Sequence, residues 1–132
     1  MAFRHIAAAI VLACTLQACG GITDPSKNQV QPFSGVFDVG GAGPIHDFSA
    51  SKNGEFFVTL TALTPDTTAI VAVTLGQRLS GGCSLLATQY ANVGRQAFTG
   101  PLDKGNYCLQ VTDSGLAVLS GPQSYTLRVS FP

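Results

Sequence analysis

The feature that most constrains the fold of this chain is a series of short segments in which apolar and polar residues alternate. In residues 106–112 and 124–131, for example, every second side chain is a large apolar one. A period of two places alternate side chains on the same face of a β-strand. Together with runs rich in Thr, Val, Phe and Tyr, the pattern predicts eight strands, at residues 33–39, 45–51, 55–63, 68–75, 84–90, 95–99, 106–112 and 124–131.

Turn-forming residues separate these segments. The Asn53-Gly54 pair is a strong hairpin signal, because both central positions of a type I′ turn require positive φ. Other breaks rich in Gly, Pro, Asp or Ser lie at residues 64–66, 81–82, 103–105 and 120–122. After residue 18, no segment has helical periodicity over the length of a helix. The sequence therefore predicts an all-β fold, a single antiparallel β-sandwich of about eight strands.

Four segments resemble the bacterial pre-peptidase C-terminal domain, a small jelly-roll-like β-sandwich. They read HDFSA at 46–50, NGEFFVTL at 53–60, LDKGNYCLQV at 102–111 and SYTLRV at 124–129. The resemblance covers most of residues 33–131 and implies a jelly-roll-like arrangement of the strands. Such modules often follow a protease domain. The resemblance therefore also implies an alternative function, that of an accessory subunit of an exported enzyme such as a peptidase.

The first eighteen residues read as a cleaved export signal. Arg4 gives the start a positive charge, and residues 6–16 are uncharged and mostly apolar. A short basic start followed by an apolar stretch of about 7–15 residues is typical of a secretory signal peptide. The apolar stretch is much shorter than the roughly 20 residues that a membrane-spanning helix needs. We therefore expect residues 1–18 to be removed.

The end of this signal resembles a bacterial lipobox, with the sequence Leu16-Gln17-Ala18-Cys19 followed by two glycines. The resemblance implies that a diacylglycerol is attached to Cys19, which becomes the new amino terminus and binds the membrane. Gly20, in place of an aspartate, favours the outer membrane in Gram-negative sorting. The alternative is an ordinary secreted protein cut near Ala18, in which Cys19 is an incidental thiol.

Residues 19–32 form the predicted lipidated tether, and residues 33–132 form the predicted domain. The tether contains Gly, Pro and polar residues with little to bury, which is typical of a flexible linker. Without the signal the chain has 114 of its 132 residues, a length that suits one domain.

The positions of the four cysteines predict one disulfide. Cys14 leaves with the signal and Cys19 carries the lipid, so that Cys83 and Cys108 remain. A pair of cysteines in an exported protein favours a disulfide. The alternative is a metal site, which would need further ligands that His46 alone does not supply.

The charge balance excludes one class of partner. The chain has seven basic and seven acidic residues, and the basic ones after the signal are dispersed singly. Binding to nucleic acid requires clustered Lys and Arg, so we expect no nucleic-acid partner.

Few residues suggest chemistry. His46 and Asp47 are adjacent, but neighbours on a strand point to opposite faces, so we expect no acid–base pair. The Gly-x-Ser-x-Gly elbow of serine hydrolases is absent from the sequence.

Aspartates near turns and strand ends are candidates for calcium binding, because loop aspartates can bind calcium through six to eight oxygens. Aspartate at turns is also explained by hydrogen bonds to the backbone. These residues are Asp38, Asp47, Asp66, Asp103 and Asp113. Phe57 could stack on a sugar if it faces outward, or it could be covered.

The sequence thus predicts a non-enzymatic, lipid-anchored protein of the cell envelope, with no catalytic residue, no metal and no cofactor. Its sandwich would be a binding or structural module with a protein or polysaccharide partner. The alternatives are the accessory subunit of an exported enzyme and a carbohydrate-binding module.

Overall fold

The computed structural model describes residues 24–132. The predicted signal peptide and the predicted lipidation site at Cys19 lie outside this range. One short 3-10 helix, Pro25–Lys27, precedes eight strands. The strands are β1 (Gln29–Phe37), β2 (His46–Ala50), β3 (Gly54–Thr64), β4 (Val71–Leu79), β5 (Gly82–Ala91), β6 (Gln96–Leu102), β7 (Gly105–Asp113) and β8 (Gln123–Phe131).

The strands form two four-stranded antiparallel sheets. The first has the order β1-β8-β3-β6 and the second the order β2-β7-β4-β5. Strands therefore pair as first with last, second with seventh, third with sixth and fourth with fifth. This nested pairing is that of a jelly roll. The predicted all-β fold, a jelly-roll-like antiparallel sandwich of eight strands, is confirmed.

The core lies between the two sheets and is made of the alternating side chains that the sequence marks. On β8, Leu127 and Val129 are fully buried, and so are Leu109 and Val111 on β7. Aromatic rings from both sheets meet there; the ring centroids of Phe48 and Phe131, for example, are 5.0 Å apart. Burial of such side chains is worth roughly 1.5–3 kcal/mol each relative to exposure, so this layer is what holds the sheets together.

The folded part begins before the predicted boundary at residue 33. Strand β1 starts at Gln29, and Asn28 donates hydrogen bonds to the Glu55 carbonyl (2.7 Å) and to the Ser130 hydroxyl (3.1 Å). The predicted tether, residues 19–32, therefore ends in ordered structure. Pro32 made this segment look like a linker, but β1 is an edge strand, and an edge position tolerates a residue that lacks a backbone N–H.

The two ends of the sandwich differ in what they carry. At one end, which we call the amino-terminal end, β1 starts beside the end of β8, and Ser51 donates its backbone N–H to Pro132. The opposite end carries the longer loops between β1 and β2, β3 and β4, and β7 and β8. Strand β1 thus begins at the amino-terminal end, and Pro25, Ser26 and Asn28 before it lie beside Phe57 on the outer face of the first sheet.

Candidate functional site

The Cys83–Cys108 disulfide is present, as predicted, and it joins two strands that are not neighbours. Cys83 lies on β5 and Cys108 on β7, with β4 between them. Gly76 of β4 is the residue opposite Cys108, and the two cysteine Cα atoms are 6.1 Å apart. A Cβ atom on Gly76 would collide with the Cys83 sulfur and would lie 2.7 Å from the Ser84 carbonyl oxygen. The missing side chain is therefore what lets the disulfide cross β4.

The strand held by this disulfide buries very little. Of the ten residues of β5, only Ala91 is buried. Leu85, Leu86 and Tyr90 are 68%, 57% and 59% exposed. Strand β5 is also the last in its sheet, so within residues 24–132 only β4 pairs with it. We call the strand Gly82–Ala91, with its free backbone side, the β5 edge; it is fixed by pairing to β4 and by a covalent bond rather than by apolar burial.

His46 lies on edge strand β2 and faces the other sheet. Its Nε2 atom is 2.7 Å from the Tyr125 hydroxyl, and its ring stacks on Phe33 at 4.9 Å between centroids. Gly35 and Gly43 crowd the same hydroxyl, because a Cβ on either would lie within 2.7 Å of it. This arrangement ties three strands and one loop together, so the histidine is part of the packing between the sheets.

The surroundings of this pair favour the neutral forms of both side chains. Burial lowers the pKa of His46, although Asp47 acts in the opposite direction. Burial also raises the pKa of Tyr125 to about 12. Asp47 points to the other face of β2, where its carboxylate is 3.5 Å from Arg78. The side chains of His46 and Asp47 thus lie on opposite faces of β2, as expected from the sequence.

Two aspartates at the end with the longer loops fix those loops. The Asp66 carboxylate accepts hydrogen bonds from the Ser120 backbone N–H (2.8 Å) and from the buried Gln123 (2.7 Å). The Asp113 carboxylate accepts the backbone N–H groups of Gly40 and Gly115. Backbone hydrogen bonds lower the pKa of both carboxyl groups. Each of these carboxylates closes a loop.

The remaining aspartates of the described residues do not form a metal-binding cluster. Among the residues from Asp24 to Pro132, no group of three or more His, Cys, Asp or Glu side chains is placed to hold a metal ion. Calcium binding usually requires six to eight oxygens around the ion. The calcium site considered from the sequence therefore has no cluster of side chains to support it in this part of the chain.

Phe57 faces away from the core but is not a free platform. It is half-buried and lines a groove of about 410 Å³ with Pro25, Asn28 and Arg128. The amino-terminal segment before β1 forms one wall of this groove. Stacking on a sugar requires an open aromatic face, so the geometry agrees better with the covered alternative.

The β5 edge is the surface that sequence reasoning missed. The sequence predicts a strand at residues 84–90 but not its place in the sheet. Its place at the edge of the sheet is what leaves its backbone groups and side chains exposed. One signal was available: the segment Gly82–Ala91 contains apolar residues without regular alternation, and it has no charge and no proline. In a sandwich, such a segment is either covered on both faces or left as an unprotected edge.

In the described part of the chain, from residue 24 onward, no helix is long and apolar enough to cross a membrane. Comparison with known proteins finds no family model that matches this chain and no curated protein that resembles it. The resemblance to the pre-peptidase C-terminal domain stays a prediction.

Proposed function

We propose that this protein is a lipid-anchored, non-catalytic binding module of a bacterial cell envelope. Cys19 carries the lipid, and the β-sandwich presents its surface to a partner. Two or more acyl chains hold a protein stably on a bilayer, whereas one does not. The lipobox-like sequence favours the outer membrane as the location.

The observation that carries the binding role is the β5 edge. It combines free backbone hydrogen-bonding groups with exposed Leu85, Leu86 and Tyr90. Elsewhere, the groups that could serve catalysis are engaged in packing: His46 bonds to Tyr125, and Asp66 and Asp113 hold loops. Strand edges of this kind bind other chains through main-chain hydrogen bonds. The polar groups thus support the fold, and the exposed apolar groups supply the binding surface.

Labelled palmitate tests the anchoring. Cells that produce the protein should incorporate the label into it, and the protein should fractionate with the envelope membranes. A Cys19→Ser variant should lose both the label and the membrane association, while a Cys14→Ser variant, changed at the neighbouring cysteine, should keep them. An unlabelled protein that fractionates identically with and without Cys19 would refute the anchoring.

The accessory-subunit alternative is favoured by the same exposed apolar residues, since they suit a protein partner better than a polysaccharide. In that case an exported enzyme should co-purify from detergent-solubilised envelope. Its recovery should fall when Tyr90 is changed to Lys and should persist when Val118, an exposed residue of the loop between β7 and β8, is changed in the same way.

A further inference from the structure

Strand β5 differs from the other three strands at the sheet edges. Edge strands are usually protected from pairing with another chain by proline, charge, short length or a β-bulge. Strand β1 contains Pro32 and β6 contains Pro101, while β2 has five residues and carries Asp47. Strand β5 has ten residues with neither proline nor charge. Its one protective feature is a bulge, which leaves Leu86 as an extra residue opposite β4, and residues 87–91 after the bulge pair with β4 without interruption.

We propose that the β5 edge pairs with the β5 edge of a second copy of this chain, in antiparallel orientation. This inference rests on the proposed binding role of the β5 edge and names its partner. A two-fold axis at Thr88 would place Leu86 of one copy opposite Tyr90 of the other, and the same contact would occur twice. Directly opposed side chains in an antiparallel pair have Cβ atoms about 4.5–5.5 Å apart, so both apolar pairs would be in contact.

The absence of charge favours a second copy as the occupant. In a symmetric pair, a charged residue on β5 would lie opposite a residue of like charge or an apolar one, and either arrangement would weaken the pairing. Strand β5 has no charged residue. The pairing is also closed. It joins two four-stranded sheets into one of eight, and it uses both β5 edges, so the contact gives a dimer and not a fibre.

The disulfide holds β5 in the conformation that pairing with a second copy requires. A strand that buries so little would fray without it, and fixing a binding segment in its bound conformation lowers the entropic cost of association. The bond to Cys108 holds Cys83 at the start of β5, while Ala91 anchors the end in the core. The edge is thus a rigid template about 34 Å long.

Antiparallel pairing has a consequence for the proposed anchor. Strand β5 starts at the amino-terminal end of the sandwich, so antiparallel pairing would put the starts of the two β1 strands at opposite ends of the dimer. The chain from Cys19 to Asp24 reaches at most about 18 Å. Two copies on one bilayer would therefore lie with their strands along the membrane plane.

Sedimentation equilibrium in density-matched detergent tests the dimer with the full chain. We expect a reversible dimer at chain concentrations of about 100 µM. Tyr90→Lys should weaken it at least about tenfold, as loss of a central aromatic contact does, and Leu86→Lys should act in the same direction. Val118→Lys should leave it unchanged. Circular dichroism should give all three variants the wild-type spectrum, because the three sites are exposed.

A cysteine at Thr88 tests the position of the axis. Thr88→Cys should form a disulfide-linked dimer of the chain under mild oxidation, whereas Thr99→Cys, an exposed position on edge strand β6, should not. A chain that stays monomeric at about 100 µM, or a dimer that survives both lysine variants, would overturn the proposal. Cross-linking of Thr88→Cys to a different envelope protein would also overturn it but would leave the binding role of the β5 edge standing.

Discussion

Gly76 is the residue on which the covalent framework depends. It provides the gap through which the disulfide crosses β4, and the atoms around that gap are the Cys83 sulfur, the Ser84 carbonyl oxygen and, at 3.0 Å, the Cys108 sulfur. Two of these neighbours are held by the disulfide and the third is backbone. The site therefore has little freedom to accept even a methyl group.

We predict that Gly76→Ala prevents the disulfide or destabilises the domain by roughly 2–4 kcal/mol, the usual contribution of such a bond. If the disulfide is prevented, intact-mass measurement without reductant should give the variant's mass with two free thiols, two hydrogens above that of its own oxidised form; if the disulfide forms, denaturant unfolding should show the loss of stability. Gly81→Ala is the matched control, because a Cβ at Gly81 meets nothing within 4 Å. A Gly76→Ala variant with the disulfide and wild-type stability would contradict the crossing geometry.

His46 gives the domain a pH dependence near neutrality. Burial lowers its pKa below the ordinary value of 6.5, so the unfolded chain binds this proton more tightly than the folded one. Stability from this group is therefore complete above about pH 6.5 and falls as the pH drops through the window between the two pKa values. The pKa values of Asp24, Asp66 and Asp113 are lowered from 3.8, so their contribution disappears only in more acidic solution.

We expect the melting temperature of the wild type to decrease between about pH 7 and pH 5. His46→Gln should flatten that part of the profile, whatever its effect on stability at pH 7. Calorimetry across the range is the measurement, with Gln31→His, an exposed position on β1, as a control that adds a histidine without burial. A profile that keeps the same slope after His46→Gln would assign the dependence to another group.

At the scale of strands, the disulfide and the core stabilise different parts of the molecule. Strand β8 is central in its sheet, and five of its nine residues are at most 3% exposed. Four of these five are large apolar side chains, and the fifth is Gln123. Strand β5 has one buried residue and the disulfide. Local opening should therefore be governed by burial in β8 and by the covalent bond in β5.

The double variant Cys83→Ser/Cys108→Ser should keep the fold and lose order in β5. Hydrogen exchange should accelerate in residues 84–90 by at least about tenfold, while the amides of residues 125–131 should retain most of their protection. A matched double variant at exposed serines, Ser49→Ala/Ser124→Ala, should change neither region. Equal acceleration in β5 and β8 would mean that the bond supports the whole domain and not chiefly its edge.

The predictability of the strands from sequence follows from what each strand buries. Residues 124–131 alternate because one face lies on the core, and the predicted strand differs from β8 by one residue at its start. The start of β1 was missed by four residues, because Gln29–Pro32 is exposed and carries no such pattern. The pairing partners were not predicted, since alternation gives a face but no neighbour. The crossing at Gly76 and the His46–Tyr125 contact depend on those neighbours, and so does the exposure of β5.

Between residues 24 and 132 the molecule has one core, which lies between the two sheets, and within this range neither sheet has a second apolar layer of its own. The buried apolar residues of both sheets form a single cluster. Leu127 on β8 and Leu109 on β7 are both fully buried within it. Because each sheet provides the surface that the other covers, we expect the domain to unfold as a single cooperative unit, as most small domains do.

Leu127→Ala should lower the free energy of unfolding by roughly 2–5 kcal/mol, since it leaves a cavity in the layer that both sheets share. Ser124→Ala, at an exposed position on the same strand, should have little effect. Tyr107 lies on the second sheet and Tyr125 on the first, and both are buried. Near-ultraviolet circular dichroism of the double variants Tyr90→Phe/Tyr107→Phe and Tyr90→Phe/Tyr125→Phe, each of which keeps one tyrosine, therefore follows the two sheets separately. In the Leu127→Ala background the unfolding transitions of the two sheets should remain coincident, because a cavity between the sheets weakens both. Separate unfolding transitions would show that each sheet has stability of its own.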